Sequence, residues 1–253
     1  MKYYNLFFSP TGGTRKITYA LMDGFDEKFV NVDLIADKDL DQLEFNEDDF
    51  CIFSVPSYGG RVPSPAYDIF HKFNGNGARA VLVVSYGNRA IDDTLCELSD
   101  ILENVGFKCI AGIEAVAEHS LARKFGQGRP DKEDAEDLKR YAFEIKEALK
   151  SNSRSKALTF PGSRPYVEYA GVPIKPKATN KCTNCGQCAI ECPAHAIPKN
   201  DPKLTNKDKC ISCMHCVYIC PVHARKISPI MEKAVETKLK KVCSGRKPNK
   251  LYI

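Results

Sequence analysis

Two stretches of the 253-residue chain decide what its C-terminal part can be: CTNCGQCAIECP at residues 182–193 and CISCMHCVYICP at residues 210–221. Both follow the spacing C-x2-C-x2-C-x3-C-P, and together they hold eight of the twelve cysteines. The N-terminal residues 1–8 do not resemble a secretory signal. We therefore expect a cytoplasmic protein whose clustered thiols bind metal rather than form disulfides.

The cysteine spacing separates two kinds of metal site. Paired C-x2-C motifs also occur in structural zinc sites, where four ligands hold each ion. A zinc site does not require the second C-x2-C spacing and the final Cys-Pro that each run contains. Three cysteines at this spacing can instead wrap one corner of a [4Fe-4S] cubane, and the fourth, held one helical turn on, points away and ligates the other cluster. The spacing favours two [4Fe-4S] clusters, with zinc as the alternative.

The two runs resemble those of the bacterial two-cluster ferredoxins over about 50 residues. Carried onto this chain, the resemblance implies that each cluster takes three cysteines from one run and its last cysteine from the other. The implied ligands are Cys182, Cys185, Cys188 and Cys220 for a first cluster, and Cys210, Cys213, Cys216 and Cys192 for a second. His215 and His223 lie beside these cysteines, and we interpret them as neighbours rather than redox groups.

Residues 2–149 alternate strand-like and helix-like segments. Most of the strand-like segments are continuous apolar runs, as is typical of strands buried on both faces. The predicted strands are 3–8, 29–35, 50–55, 80–86 and 107–117, and the predicted helices are 14–25, 65–73, 91–105 and 132–149. This order predicts an α/β fold with a doubly wound, five-stranded parallel sheet.

The segment Ser9-Pro10-Thr11-Gly12-Gly13-Thr14-Arg15 leads from the first predicted strand directly into a helix. Glycines allow successive backbone amides to point inward, the Ser and Thr hydroxyls can donate further hydrogen bonds, and a helix N-terminus attracts anions. The loop is neither the G-x-G-x-x-G of dinucleotide sites nor the G-x4-G-K-[ST] of nucleoside triphosphate sites. It predicts a phosphate site of another kind.

Two more loops, residues 56–63 and 86–89, follow later strands at the same edge, where open α/β sheets bind ligands. With these three loops, residues 1–150 resemble the flavodoxins, and the resemblance implies an FMN site with its ring between the second and third loops. Tyr58 and Tyr86 are candidates for stacking on the ring, the alternative being that they cap the sheet. The implied site comprises Ser9, Thr11, Gly12, Gly13, Thr14, Pro56, Ser57, Tyr58, Gly59, Tyr86, Gly87, Asn88 and Arg89.

One feature departs from the flavodoxins, which usually surround the ring with acidic groups. Arg61 and Arg89 lie in the two ring loops, and a cation that faces the ring favours the reduced, anionic flavin and raises its potential. Residues 118–131 form a polar segment after the last strand that we expect to cover the flavin. His119 in this segment is either a candidate acid or a hydrogen-bonded loop residue.

Composition and charge divide the chain further. Residues 1–150 hold 18 Lys and Arg against 26 Asp and Glu, a net charge of −8, whereas residues 151–253 hold 19 against 6, a net charge of +13. We predict a flavodoxin-like FMN domain at 1–150, a linker or strap at 151–176, a small α+β two-cluster ferredoxin domain at 177–228, and a basic tail at 229–253 that docks on a partner or is frayed.

These charges also bear on partners. The opposite charges of the two halves favour docking between them. The negative charge of iron–sulfur clusters offsets the basic half and argues against a nucleic-acid partner. No run approaches the roughly 18 apolar residues of a membrane span.

From residue 1 to about 228, the chain resembles bacterial and archaeal fusions of a flavodoxin with a ferredoxin. The resemblance implies an electron-transfer protein that couples a two-electron FMN centre to two one-electron clusters and exchanges electrons with redox partner proteins. Alternatives are a flavin-dependent reductase of a small organic substrate, with the clusters as an internal wire, and a redox sensor. A stable NAD(P)H site is not expected, because the chain lacks a second nucleotide-binding domain.

Overall fold

The computed structural model describes residues 1–150, 158–169 and 171–253. Every strand and helix predicted for the first 150 residues is present, with ends within three residues of those predicted. The strands are β1 (Tyr3–Phe7), β2 (Phe29–Asp33), β3 (Phe50–Pro56), β4 (Arg79–Tyr86) and β5 (Lys108–Val116), and the helices are α1 (Gly13–Met22), α2 (Ser64–Phe70), α3 (Thr94–Asn104) and α4 (Lys132–Lys150), with a short 3-10 helix at Leu40–Gln42.

The five strands form one parallel sheet in the order β2-β1-β3-β4-β5. This is the strand order of flavodoxin-like folds, in which the direction of winding reverses between β1 and β3 and opens a crevice at the carboxyl ends of the strands. The predicted doubly wound parallel sheet is confirmed.

Helices cover both faces of the sheet because the central strands are apolar on both sides. In β4, Leu82 and Val84 belong to the core that α2 and α3 cover, whereas Val81 and Val83 belong to the core that α1 and α4 cover. Fully burying a side chain of this kind contributes about 1.5–3 kcal/mol. The alternation fixes the register of the strand, because a slip by one residue would exchange the two faces.

The cysteine runs form a small α+β unit. It contains a two-stranded antiparallel sheet of β6 (Lys177–Ala178) and β7 (Arg225–Lys226), with two short helices between them, α5 (Gln187–Ile190) and α6 (His215–Tyr218). A further helix, α7 (Pro229–Leu239), follows this unit.

The predicted strap lies along α3 in the part of it that the structure describes. Phe160 is buried against Gly112 of β5, where an added Cβ would come within 2.5 Å of its ring. The Asp93 carboxylate accepts hydrogen bonds from the backbone amides of Ser163 (2.8 Å) and Val167 (2.6 Å). Residues 151–157 and 170 of the predicted linker lie outside the described residues.

The end of the chain adds a sixth strand that was not predicted. β8 (Lys250–Tyr252) pairs antiparallel with β5 and closes the open edge of the sheet. Just before it, the buried Asn249 accepts a hydrogen bond from the Val116 amide (3.0 Å) and donates one to the Asp134 carboxylate (2.8 Å). The basic tail is therefore part of the folded sheet.

Among the described residues, no helix has the length and apolar character that crossing a membrane requires.

Candidate functional site

The loop after β1 is shaped for an anion. Gly12 adopts a left-handed conformation (φ 81°), and the Ser9 hydroxyl accepts a hydrogen bond from the Arg15 amide (2.9 Å) at the start of α1. Within the described residues, the backbone amides of Thr11, Gly13 and Thr14 have no acceptor. Free amides at a helix N-terminus attract a phosphate. The arrangement fits the predicted phosphate site.

The hydroxyls of this loop have different partners. Ser9 accepts from the Arg15 amide in the first turn of α1 and keeps its own O–H, whereas the buried Thr14 shares a 2.7 Å hydrogen bond with the Ser85 hydroxyl. Thr11 is half-buried and has neither task. Three backbone amides and the Thr11 hydroxyl are therefore available to a bound phosphate, and the O–H of Ser9 is not used by another group.

The loop after β3 is a tight turn. The backbones of Tyr58 and Arg61 pair antiparallel, with Gly59 (φ 63°) and Gly60 (φ 86°) between them. Glycine adopts these positive φ angles without strain. The Ser57 hydroxyl donates to the Ile91 carbonyl (3.2 Å) and ties the turn to the segment before α3. The Tyr58 side chain is half-buried on this fixed turn.

The predicted site residues of the loop after β4 have different structural roles. Tyr86 is 7% exposed and packs in the core, and burial, followed by the Glu114 carboxylate, raises the pKa of its phenol to about 12. Asn88 donates to the carbonyls of Cys243 (2.6 Å) and Gly245 (2.8 Å), so its side chain holds the C-terminal segment. These contacts favour the interpretation that Tyr86 caps the sheet, and they leave Tyr58 as the better placed stacking residue.

One cavity of about 490 Å³ lies where the three loops meet. It is within the size range of cofactor sites. Of the predicted residues, Thr11, Gly13, Thr14, Pro56, Ser57, Tyr58, Gly59, Tyr86, Gly87 and Arg89 line it, whereas Ser9, Gly12 and Asn88 support the loops from behind.

The two arginines of the ring loops are both neutralised by carboxylates. Arg61 does not line the cavity: it donates through Nε (2.9 Å) and Nη2 (2.6 Å) to the carboxylate of Glu97, which is 2% exposed. Arg89 lines the cavity but forms an ion pair with Asp92. Arg61 therefore does not meet the condition that the cation face the ring, because its guanidinium is bonded to Glu97.

His119 also lines the cavity, with its ring over Gly87. Its Nδ1 accepts hydrogen bonds from the amides of Leu121 (3.1 Å) and Ala122 (3.2 Å), which places the proton of the neutral ring on Nε2. Burial, followed by the charge of Arg89, lowers its pKa to about 4. His119 is thus a neutral, oriented hydrogen-bond donor near neutral pH, and this state does not suit the acid role considered from the sequence.

Much of the cavity wall comes from the C-terminal part of the chain, and sequence reasoning did not assign it to the site. Tyr169 of the strap packs on Gly59, where an added Cβ would lie 2.3 Å from its ring. Helix α7 contributes Met231, Ala234, Val235, Lys238 and Leu239. Their i, i+3, i+4, i+7, i+8 spacing was the available signal, because it marks one face of a helix.

The second cysteine run also reaches the cavity. Ile211 and Ser212 line it, and the hydroxyl of Tyr58 lies 3.5 Å from the carbonyl oxygen of Cys213. The buried His215 donates from Nδ1 to the carbonyl of Pro10 in the phosphate loop (2.8 Å). The part of the small unit that carries this run is therefore packed directly on the loops of the larger sheet.

The two cysteine runs repeat one backbone conformation at a distance of 28 residues. Three pairs of equivalent positions have left-handed backbone angles: Asn184 (φ 62°) and Ser212 (φ 58°), Gly186 (φ 80°) and Met214 (φ 64°), and His195 (φ 48°) and His223 (φ 49°). Such angles are uncommon for residues other than glycine. The duplication seen in the sequence is therefore a structural repeat.

Cysteines of the two runs lie near one another. Burial raises the pKa of the Cys216 thiol to about 12; Arg225 opposes this, and Cys210, Cys192 and Cys188 add to it. Cys192, from the first run, thus lies among the cysteines of the second run. The Sγ atoms of Cys192 and Cys220 also accept hydrogen bonds from the amides of Ala196 (3.3 Å) and Ala224 (3.2 Å). At Cys220, burial opposes the effect, but backbone amides lower the pKa of the thiol.

One family model matches part of the chain. Residues 176–221 match the family model of the 4Fe-4S dicluster domain. The chain joins a flavodoxin-like fold to a 4Fe-4S dicluster domain. The first part of this statement rests on the strand order of the sheet, and the second on the family match.

Among solved structures, this chain is similar to a flavodoxin from the domain Archaea, with 16% identity and a TM-score of 0.44 over 59% of this chain and 99% of that one. It is also similar to a flavodoxin from Streptococcus pneumoniae TIGR4 (19% identity, TM-score 0.41, 58% and 99% of the two chains). A third is rubredoxin oxygen:oxidoreductase from Desulfovibrio gigas (16% identity, TM-score 0.44, 61% and 37%). A comparison with curated proteins gave no match.

Proposed function

We propose that this protein transfers electrons between an FMN held in the cavity and two [4Fe-4S] clusters held by its cysteine runs, and exchanges them with soluble redox partner proteins. One observation carries the proposal: the cavity is lined both by the loops of the flavodoxin-like sheet and by Ile211 and Ser212 of the second cysteine run. A flavin supplies two-electron chemistry, and each cluster carries one electron.

The residues around the cavity fit FMN. The free amides of Thr11, Gly13 and Thr14 suit its phosphate, and the turn at Gly59 brings backbone close to the space for its ring. Tyr58 and Tyr169 offer aromatic surfaces on the side of the cysteine runs.

The cysteine residues fit clusters better than single ions. Within the described part of the chain, no group of three or more His, Cys, Asp or Glu side chains is arranged to hold one metal ion. Zinc would need four ligands about 2.0–2.3 Å from one point. Two cubanes would use the ligand sets implied by the sequence, Cys182, Cys185, Cys188 and Cys220 for the first, and Cys192, Cys210, Cys213 and Cys216 for the second.

The contacts also order the centres. The second cluster set is adjacent to the cavity, since Tyr58 approaches Cys213, and the Tyr169 phenol lies close enough to Cys210 and Cys213 for their charges to raise its pKa after burial. In the first set, Cys185 is exposed to solvent. We therefore assign the second cluster to exchange with the flavin and the first to exchange with external partners.

Helix α7 favours an electron carrier over a reductase of organic substrates. Its apolar residues Met231, Val235 and Leu239 cover one wall of the cavity. Lys124 forms an ion pair with Glu236 and fixes the helix to the segment that contains His119. A hydride donor or an organic substrate would have to displace this helix to stack on the flavin, whereas electrons need no such opening.

Anaerobic purification with quantification of iron, sulfide and flavin tests the cofactors. We expect about eight irons and about one FMN per chain. A colourless or zinc-loaded protein would contradict the proposal.

The order of the centres is tested by two matched substitutions, Cys185→Ser in the first set and Cys213→Ser in the second. After reduction of the flavin by light, we expect rapid oxidation of the flavin by the remaining cluster in Cys185→Ser and a strongly slowed reaction in Cys213→Ser, followed by absorbance and electron paramagnetic resonance. Equal rates in the two variants would show that the second cluster has no privileged position.

A further inference from the structure

Arg225 is a buried cation without a counter-ion. It follows the C-P of the second run by four residues, and it is 2% exposed. Its Nη1 donates to the Thr205 hydroxyl (2.6 Å), and its Nη2 donates to the carbonyls of Leu204 (2.9 Å) and Pro202. All of these acceptors are neutral, its buried Nε has no partner, and no carboxylate of the described residues forms an ion pair with it.

An uncompensated buried charge is costly, and arginine cannot avoid the cost by losing its proton. The groups that can balance it are cysteines of both ligand sets. The Sγ of Cys188 lies 3.8 Å from the Pro202 carbonyl oxygen that also accepts from Arg225, and Arg225 is the largest charge acting on Cys188 and on Cys216. The amide of Arg225 also approaches the Cys220 thiol.

The internal repeat supplies a reference for this position. The equivalent of Arg225, 28 residues earlier, is Ile197, a buried apolar residue in the same C-P-x-H-A-x context. The second repeat thus has the buried cation Arg225 at the position where the first repeat has the buried apolar side chain of Ile197. Since two of the three cysteines near Arg225, Cys188 and Cys220, belong to the first ligand set, the charge acts unequally on the two clusters.

We propose that Arg225 is a potential-setting residue: its guanidinium stabilises the reduced, more negative state of the cluster held by Cys182, Cys185, Cys188 and Cys220, and holds the midpoint potential of that cluster above the value it would have without the charge. The inference rests on the proposed function, because it requires both clusters. It raises the electron affinity of the first cluster more than that of the second.

The test compares Arg225→Met, which removes the charge, with Arg225→Lys, which keeps it, and with Ile197→Met as a control at the equivalent position. Both cluster potentials are measured by anaerobic redox titration with electron paramagnetic resonance. In Arg225→Met we expect the first cluster to bind its electron at least about tenfold more weakly, a fall of about 59 mV for one electron. The second cluster should shift less, and Arg225→Lys and Ile197→Met should shift little.

Equal potentials in Arg225→Met and wild-type protein, at full iron content, would overturn the proposal. If Arg225→Met takes up no iron, Arg225→Gln replaces it, because its amide can still donate to the same carbonyls. Iron lost from both neutral variants but retained by Arg225→Lys supports a role for the charge, whereas iron lost from Arg225→Lys as well shows that the hydrogen bonds of arginine alone matter. Wild-type protein without clusters would instead refute the proposed function.

Discussion

The packing of His119 on Gly87 allows the wall of the cavity to be tested with one added carbon atom. In Gly87→Ala, the new Cβ would lie 2.5 Å from Cδ2 and 2.6 Å from Cγ of His119. The ring can yield only by giving up hydrogen bonds from the amides of Leu121 and Ala122, each worth about 0.5–1.5 kcal/mol. Overpacking that is not relieved costs about 1–3 kcal/mol.

Both routes lead to a cost of about 1–3 kcal/mol, and the ring lines the cavity. We therefore expect Gly87→Ala to weaken FMN binding about 5- to 150-fold, because the flavin must push the ring back. The measurement is a titration of apoprotein with FMN, followed by quenching of flavin fluorescence, together with the melting temperature of the apoprotein.

His119→Gly and the double variant Gly87→Ala/His119→Gly complete a double-mutant cycle. The His119 Cβ also lies 2.7 Å from the new methyl group, so the whole side chain has to be removed. Without it the methyl group has no His119 side-chain atom to strike, and the double variant should bind FMN as His119→Gly does. If Gly87→Ala weakens binding by the same factor with and without His119, the contact is not the cause and the reasoning is refuted.

Two further predictions concern stability. Burial lowers the pKa of His119 from 6.5 to about 4, so its contribution to the free energy of unfolding is complete above about pH 6.5. The contribution is lost as the pH falls toward 4, a difference of about 3 kcal/mol. Urea unfolding at two pH values should show a larger loss of stability at acid pH in wild type than in His119→Asn, and equal losses would contradict this. Asn249→Ala leaves the buried Val116 amide without its acceptor and should lower the free energy of unfolding by about 1–3 kcal/mol. The control Ser244→Ala, at an exposed position, should change it by almost nothing. Thermal unfolding compares the two variants, and similar melting temperatures would show that Asn249 is dispensable.

The sheet was predictable because the residues of each strand by themselves show which faces of the strand are buried. Residues 80–86 are apolar at nearly every position, which only a strand covered on both faces requires, and Ser9–Arg15 marks the turn into a helix by its own glycines. Because the strands are parallel, the loops after β1, β3 and β4 lie at one edge of the sheet whatever side chains they contain. Local pattern and topology together were sufficient to locate the cavity.

The partners of individual side chains were not predictable in this way. β8 has three residues, too few to show a period, and it is a strand only because β5 offers a free edge. Arg61 looks like a cation of the ring loop, but the decisive carboxylate, Glu97, lies 36 residues away on α3. Tyr169 lies in a Pro-rich segment with no periodicity, and only the fold shows that Gly59 provides the flat surface on which it packs.

The way the cysteine unit is attached changes how the two parts communicate. A flexible linker and opposite charges would give a docking equilibrium that salt weakens. Here the chain enters the unit through a strap held by Asp93 on α3, and leaves it through α7 and β8, which pairs with β5. The unit cannot leave the cavity without breaking one of these attachments, so the proximity of Cys213 to Tyr58 is a property of the folded chain. The contacts that close the edge of the sheet thus add to the contacts of His215 with Pro10 and of Tyr58 with Cys213, which hold the second cysteine run beside the cavity. A substitution that loosens the tail should weaken this attachment before it unfolds either part.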